Sequence, residues 1–143
     1  MTTRPHRILV ALGLALCLSS GVAAAELSAV VSPRVAVSSL TPSQIADIYL
    51  GRANRFPDGT PAIPCDLAEG SPLREAFYAN VIGRSAAQVR AHWSKIIFTG
   101  RGQPPREVAN SEEAKKLVVE NPGVVCYIDR ALVDRNVTVL LVR

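Results

Sequence analysis

Histidine is scarce in this chain: there are two, and only His92 lies beyond the first ten residues. One histidine makes no zinc site without partners, and this one falls inside an expected helix beside Trp93. No segment has a nucleophile elbow or a catalytic-cysteine motif, and the dispersed acidic residues follow no calcium-loop spacing. A Ser/His or Cys/His pair assembled by folding stays open at this level, but catalysis, a metal and a cofactor are not expected. Charge excess is small as well, with 16 Lys and Arg against 12 Asp and Glu for a net +4. Arg4 and Arg7 precede the first acid, so losing that segment halves the excess. The arginines from Arg34 to Arg143 are scattered, which gives no reason to expect a nucleic-acid partner. Beyond residue 25 no apolar run is long enough to span a membrane, and internal repeats and low-complexity linkers are lacking.

The first 25 residues have the three parts of a cleavable secretory signal. Arg4 and Arg7 form a positive n-region, Ile8 to about Leu18 an apolar h-region, and Ala23-Ala24-Ala25 a small-residue cleavage site. The apolar stretch is shorter than the roughly 20 residues a membrane anchor needs. Leu16 is too large to precede a lipidated Cys17. Cleavage after Ala25, a periplasmic location and one domain over residues 26–143 are the expected result, with no stable membrane insertion afterwards. The mature chain has the size of one ordinary domain and can bury a core.

Cys65 and Cys126 remain after export, in a compartment where thiols tend to pair. A bridge between them closes a long loop worth about 4 kcal/mol in the chain-entropy model. It requires Cα atoms within about 7 Å. Both cysteines also fit as small buried side chains in apolar strands.

The order of expected elements is β, α, β, α, α, α, β, β, an α/β pattern. Leu27 to Val37 reads as a strand with an extended connection at Pro33. Thr41-Pro42-Ser43-Gln44 is a capping box with proline at the first helical position, and its helix runs to Gly51. Phe56-Pro57-Asp58-Gly59 is a turn and Ala62–Leu67 a short buried strand. Ser71-Pro72 opens a helix ending at Gly83, and Ser85-Ala86-Ala87-Gln88 opens another that stops before Gly100 and Gly102. A helix over Glu112–Glu120 follows an N-cap at Ser111. Val124–Ile128 reads as a central strand, Asp129–Asp134 as a helical turn and the β-branched run Val137–Val142 as a buried strand.

Two segments could hold an anion. Asp66-Leu67-Ala68-Glu69-Gly70-Ser71 passes from strand to helix, and a helix N-terminus offers unpaired N–H groups and partial positive charge. Gly70 allows close approach, the Ser71 hydroxyl can donate, and Arg74 could add charge. The plainer role for Ser71 is to cap its own helix. Phe98-Thr99-Gly100-Arg101-Gly102-Gln103-Pro104-Pro105 is a basic loop in which Arg101, between glycines, either reaches a carboxylate or phosphate or stays solvated.

Taken in order, these residues resemble the phosphate-binding periplasmic receptors. Leu40-Thr41-Pro42-Ser43-Gln44-Ile45-Ala46-Asp47-Ile48-Tyr49-Leu50-Gly51-Arg52 followed by Phe56-Pro57-Asp58-Gly59 is similar to their helix and turn. Glu69-Gly70-Ser71-Pro72 with Phe77 is similar to their anion loop, and Asn121-Pro122-Gly123-Val124-Val125-Cys126-Tyr127-Ile128 to a following strand. The closest resemblance is to short, single-lobe members of the phosphate ABC transporter substrate-binding family, in which a stretch like Phe98–Pro105 also occurs. The resemblance implies one lobe of a type 2 periplasmic binding protein, with a central mixed sheet flanked by helices. It also implies phosphate or a related oxyanion as ligand, held by Gly70 and Ser71 with Arg74, Thr99 and Arg101 nearby. The implied partner is an ABC transporter permease or a second protein lobe. Pro72 and Leu73 depart from the pattern, removing an N–H and a hydroxyl. No arginine stands at positions 66 to 68, and the lobe that begins a full receptor has no counterpart. The alternative function is therefore a non-catalytic interaction module derived from such a lobe.

Overall fold

The computed structural model describes residues 26–142; the expected secretory signal lies outside them. Five strands and four α-helices follow in order among these residues: β1 (Leu27–Val31), α1 (Pro42–Tyr49), β2 (Ile63–Leu67), α2 (Pro72–Phe77), α3 (Ala86–Phe98), β3 (Arg106–Val108), α4 (Ser111–Glu120), β4 (Val124–Asp129) and β5 (Thr138–Val142), with a 3-10 turn at Arg130–Leu132 where a helical turn was expected. The strands form one sheet in the order β3-β2-β4-β1-β5. β2 runs parallel to β3 and β4, whereas β1 is antiparallel to β4 and β5. This is the expected mixed sheet with flanking helices.

Local chemistry accounts for the helix starts. Thr41 and Ser85 accept from the backbone N–H of Gln44 and Gln88, whose side chains bond back to the cap residues. Such reciprocal caps satisfy two otherwise orphaned donors each. α4 starts one residue earlier than expected: Asn110 is its cap, accepting from Glu113 N–H at 2.9 Å, and Ser111 is its first residue. The single helix expected over residues 72–83 changes at Tyr78, where α2 passes into a π-helical turn over Tyr78–Ile82.

Two further differences concern the sheet edges. β3 was not expected, because three residues of sequence Arg-Glu-Val after two prolines carry no readable alternation. The run Val137–Val142 contributes an edge strand rather than a buried one, and Val139 and Leu141 are half-buried. Leu40 N–H donates to Leu140 C=O at 3.3 Å and partly covers that edge.

The core centres on β4, whose residues Val124 to Ile128 are all buried. Tyr49, Phe77 and Tyr127 pack there as an aromatic group, with the Phe77 and Tyr127 rings stacked 3.9 Å apart and Tyr49 edge-on to Phe77 at 4.7 Å. Cys65 and Cys126 form a disulfide between β2 and β4, with Cα atoms 5.0 Å apart. The turn into β4 depends on Gly123, at φ 95°, where an added Cβ would stand 2.7 Å from the Pro61 carbonyl oxygen. Gly123→Ala is expected to cost about 1–3 kcal/mol of backbone strain, before any steric shift. Chemical denaturation measures it, and an unchanged midpoint would remove Gly123 from the features that set this turn.

Candidate functional site

The parallel register of β2 with β3 pairs Cys65 with Arg106 and Leu67 with Val108. The loops leaving the two carboxyl ends, Ala68–Ser71 and Ala109–Asn110, are therefore neighbours. The chain goes outward from β2 to β3 and then back across the sheet to β4. Right-handed crossovers in opposite directions put the intervening helices on opposite faces, which opens a crevice between the two loops. The N-termini of α2 and α4 both meet there.

The result is a hollow of about 380 Å³ bordered by Ser71, Leu73, Asn110, Ser111, Glu112 and Asp129. Gly70, at φ 86°, turns the chain into α2. Ser71 Oγ accepts from Arg74 N–H at 3.4 Å and caps the helix, and Ser111 Oγ accepts from Asp129 N–H at 3.1 Å. Each hydroxyl keeps its own proton for donation. First-turn N–H groups of Leu73, Ser111 and Glu112 add donors, whereas Pro72 has none. Hydrogen-bond donors thus converge, but no Lys or Arg borders the hollow, and Glu112 and Asp129 do.

The remaining residues singled out in the sequence lie elsewhere. Thr99 is the C-cap of α3 and donates its hydroxyl to Ile96 C=O at 3.0 Å. Arg101 borders a separate hollow of about 340 Å³ with His92, Trp93 and Gly102. His92 Nε2 donates to Leu50 C=O at 2.8 Å and its ring stands edge-on to Trp93. Arg74 belongs to a third group. Its guanidinium lies 3.4 Å from Asp66 and 3.6 Å from Glu107, neighbours in the β2–β3 register, and 5.7 Å above the Tyr78 ring. Folding keeps Gly70 and Ser71 in one loop and separates them from the side chains of Arg74, Thr99 and Arg101.

Asp66 is the centre of that third group, and sequence reasoning passed over it. It is 4% exposed, and its two carboxylate oxygens accept from the hydroxyls of Tyr78 and Tyr127. Burial raises its pKa above the ordinary range, opposed by the Tyr127 and Tyr78 hydrogen bonds and by Arg74. Burial, followed by the adjacent Asp66 charge, pushes both tyrosine hydroxyls far upward, so they stay protonated donors. For Arg74, burial works against the charge, and Asp66 together with Tyr78 and Tyr127 outweighs it, leaving the guanidinium pKa raised. Tyr49 and Tyr127 also satisfy backbone groups where β2 and β4 part. Tyr49 O–H donates to Cys65 C=O at 2.6 Å, and Leu67 N–H donates to Tyr127 Oη at 3.2 Å. A carboxylate in the otherwise apolar strand Ile63-Pro64-Cys65-Asp66-Leu67 was the available signal. Asn110, Ser111 and Asp129 gave none, because only the sheet register brings them to Ser71.

Among the described residues, no group of three potential metal ligands occurs, and no helix is long and apolar enough to cross a membrane. No family model and no curated protein matches the chain. Solved structures do. One is a protein of Clostridium perfringens described as a phosphate ABC transporter substrate-binding protein and solved with bound phosphate. It shares 23% identity at a TM-score of 0.64, covering 81% of this chain and 45% of its own. An ABC-type phosphate transport receptor from Vibrio cholerae shares 21% identity at a TM-score of 0.63, covering 81% and 46%. PstS of Borrelia burgdorferi shares 14% at 0.60, covering 81% and 47%. This chain spans less than half the length of each, and its fold is the periplasmic-binding-protein-like fold of these neighbours.

Proposed function

We propose that the chain is a non-catalytic, exported binding-protein lobe that associates through its Ser71–Ser111 hollow with another protein of a transport or envelope assembly. The observation that carries this reading is the charge at the hollow. Two helix N-termini contribute about half a positive charge each, and the carboxylates of Glu112 and Asp129 offset them. Of the arginines beside the loop, Arg74 lies within ion-pair distance of Asp66 and Glu107, and Arg90 is paired with Glu69. A phosphate dianion bound to this lobe alone therefore has little net attraction, and a facing protein would have to supply the cation and the second wall. Donors at the half-buried Ser71 and Ser111 suit carbonyl or carboxylate oxygens of such a partner. His92 is bonded through Nε2 to the Leu50 backbone carbonyl and packed on Trp93.

Photo-crosslinking in cells tests this reading. A benzophenone amino acid in place of exposed Glu112 is expected to give one discrete protein adduct, and the same probe at the exposed turn residue Asp58 none. Equal labelling from both positions, or none from Glu112, would overturn it.

The second reading, an oxyanion receptor, is favoured by the converging donors and by the likeness to a structure that holds phosphate. Thermal unfolding separates the two. With the purified exported protein, about 10 mM phosphate is expected to raise the unfolding temperature by no more than about 2 °C. A rise of several degrees at submillimolar phosphate, abolished by Ser71→Ala, would establish the receptor instead.

A further inference from the structure

The end of α3 carries an apolar tip that the fold does not use. Phe98 is 93% exposed and its neighbour Ile97 53%, two consecutive large apolar side chains in solvent. The residues after them, Thr99 to Pro104, are exposed too. The segment that carries this tip is one-sided in charge, although two exposed acids from other segments, Glu69 and Glu107, share a hollow with Ile97. From Ala76 to Arg106 the chain holds Arg84, Arg90, Lys95, Arg101 and Arg106, and all 12 acidic residues lie outside that stretch. Arg90 is paired with Glu69 at 2.6 Å. Among the described residues, no carboxylate forms an ion pair with Lys95 or Arg101. A base near a helix C-terminus is explained by the macrodipole. An exposed phenylalanine beside an exposed isoleucine is not.

We propose that this tip is a peripheral docking surface for an anionic phospholipid bilayer. Phe98 and Ile97 enter the interface, and Lys95 and Arg101 meet the headgroups. Charge complementarity supplies the long-range attraction, because Lys95 and Arg101 flank the apolar pair with no carboxylate in ion-pair contact, and the nearby acids Glu69 and Glu107 are themselves paired with Arg90 and Arg74. The shape favours a bilayer over a protein. A stable protein interface buries at least about 1,000 Å², but the tip is two apolar side chains flanked by small or polar exposed positions at Ala91, Ser94, Thr99 and Gly100. A bilayer interface needs only the protruding tip. The surface lies on α3 and its following loop, apart from the Ser71–Ser111 hollow, so the two proposals stand or fall separately.

Vesicle flotation of the purified exported protein tests it. Vesicles of phosphatidylcholine are compared with vesicles containing about 30 mol% phosphatidylglycerol, at low and high salt. The wild-type protein is expected to bind the anionic vesicles at least tenfold more strongly, and to lose most of that preference in high salt. Phe98→Ala is expected to weaken binding about tenfold or more with an unchanged unfolding temperature, since that side chain has almost no contact to lose. The double variant Lys95→Glu/Arg101→Glu is expected to abolish the preference for phosphatidylglycerol. Absence of wild-type binding, equal binding to both vesicles, or full binding by Phe98→Ala would each overturn the proposal.

Discussion

Asp66→Ala is expected to cost about 3–5 kcal/mol of stability, because removing one partner of a buried ion pair strands the other. For a domain of this size that corresponds to an unfolding temperature lower by about 10–20 °C. The substitution deletes the acceptor of the Tyr78 and Tyr127 hydroxyls and leaves Arg74 with only the exposed carboxylate of Glu107. Adding Arg74→Leu is expected to recover part of the loss, since the stranded cation leaves with its partner. Simple additivity in that double-mutant cycle would contradict a coupled cluster. The pH dependence gives an independent check. Burial holds the folded-state pKa of Asp66 above the ordinary carboxylate value. Between those two values the folded chain binds more protons than the unfolded one. The contribution of this group to stability is therefore greatest at low pH and falls as pH rises through that window. Asp66→Asn is expected to flatten that slope, and an unchanged slope would mean that other groups set it.

Replacing both members of the disulfide, as Cys65→Ala/Cys126→Ala, is expected to cost about 4 kcal/mol, a closed loop of 61 residues being lost from the unfolded chain. Urea unfolding should show a lower midpoint together with a steeper dependence on denaturant, since the unfolded state becomes more expanded. Coincident curves for the oxidised wild type and the variant would show that the bridge constrains nothing. The two effects act through different states. Asp66 supports the native packing between β2, β4 and α2, whereas the disulfide restricts the unfolded ensemble.

Much of the local architecture was legible because it is written within a few residues. The capping boxes at Thr41–Gln44 and Ser85–Gln88 are reciprocal contacts over three positions, and both form as read. β2 and β4 were visible as short apolar runs bounded by turn residues. β3 was invisible, since its three residues are strand only by pairing with β2. The edge position of β5 was invisible for a related reason. A β-branched run suits a buried strand, but whether a neighbour lies beyond it is a property of the sheet order. The charge reading had a similar blind spot: scattered cations hide the fact that no acid occurs between Glu75 and Glu107.

By itself, the amino-acid order determined the helix starts, the α/β pattern, the placement of Gly70 and Ser71 at a strand-to-helix turn, and the scarcity of groups for metal or nucleophilic chemistry. These follow from near-neighbour hydrogen bonds, backbone preferences and composition. Tertiary structure alone decided the rest. The pairing of β2 with β3 and with β4 brought Ser111 and Asp129 to Ser71, and the alternation of β2 and β4 turned Asp66 toward Tyr78, Tyr127 and Arg74. Arg74 was thereby drawn away from the hollow it was expected to serve. The physical reason is that a buried carboxylate 3.4 Å away holds a guanidinium more firmly than a partly solvated hollow bordered by two acids.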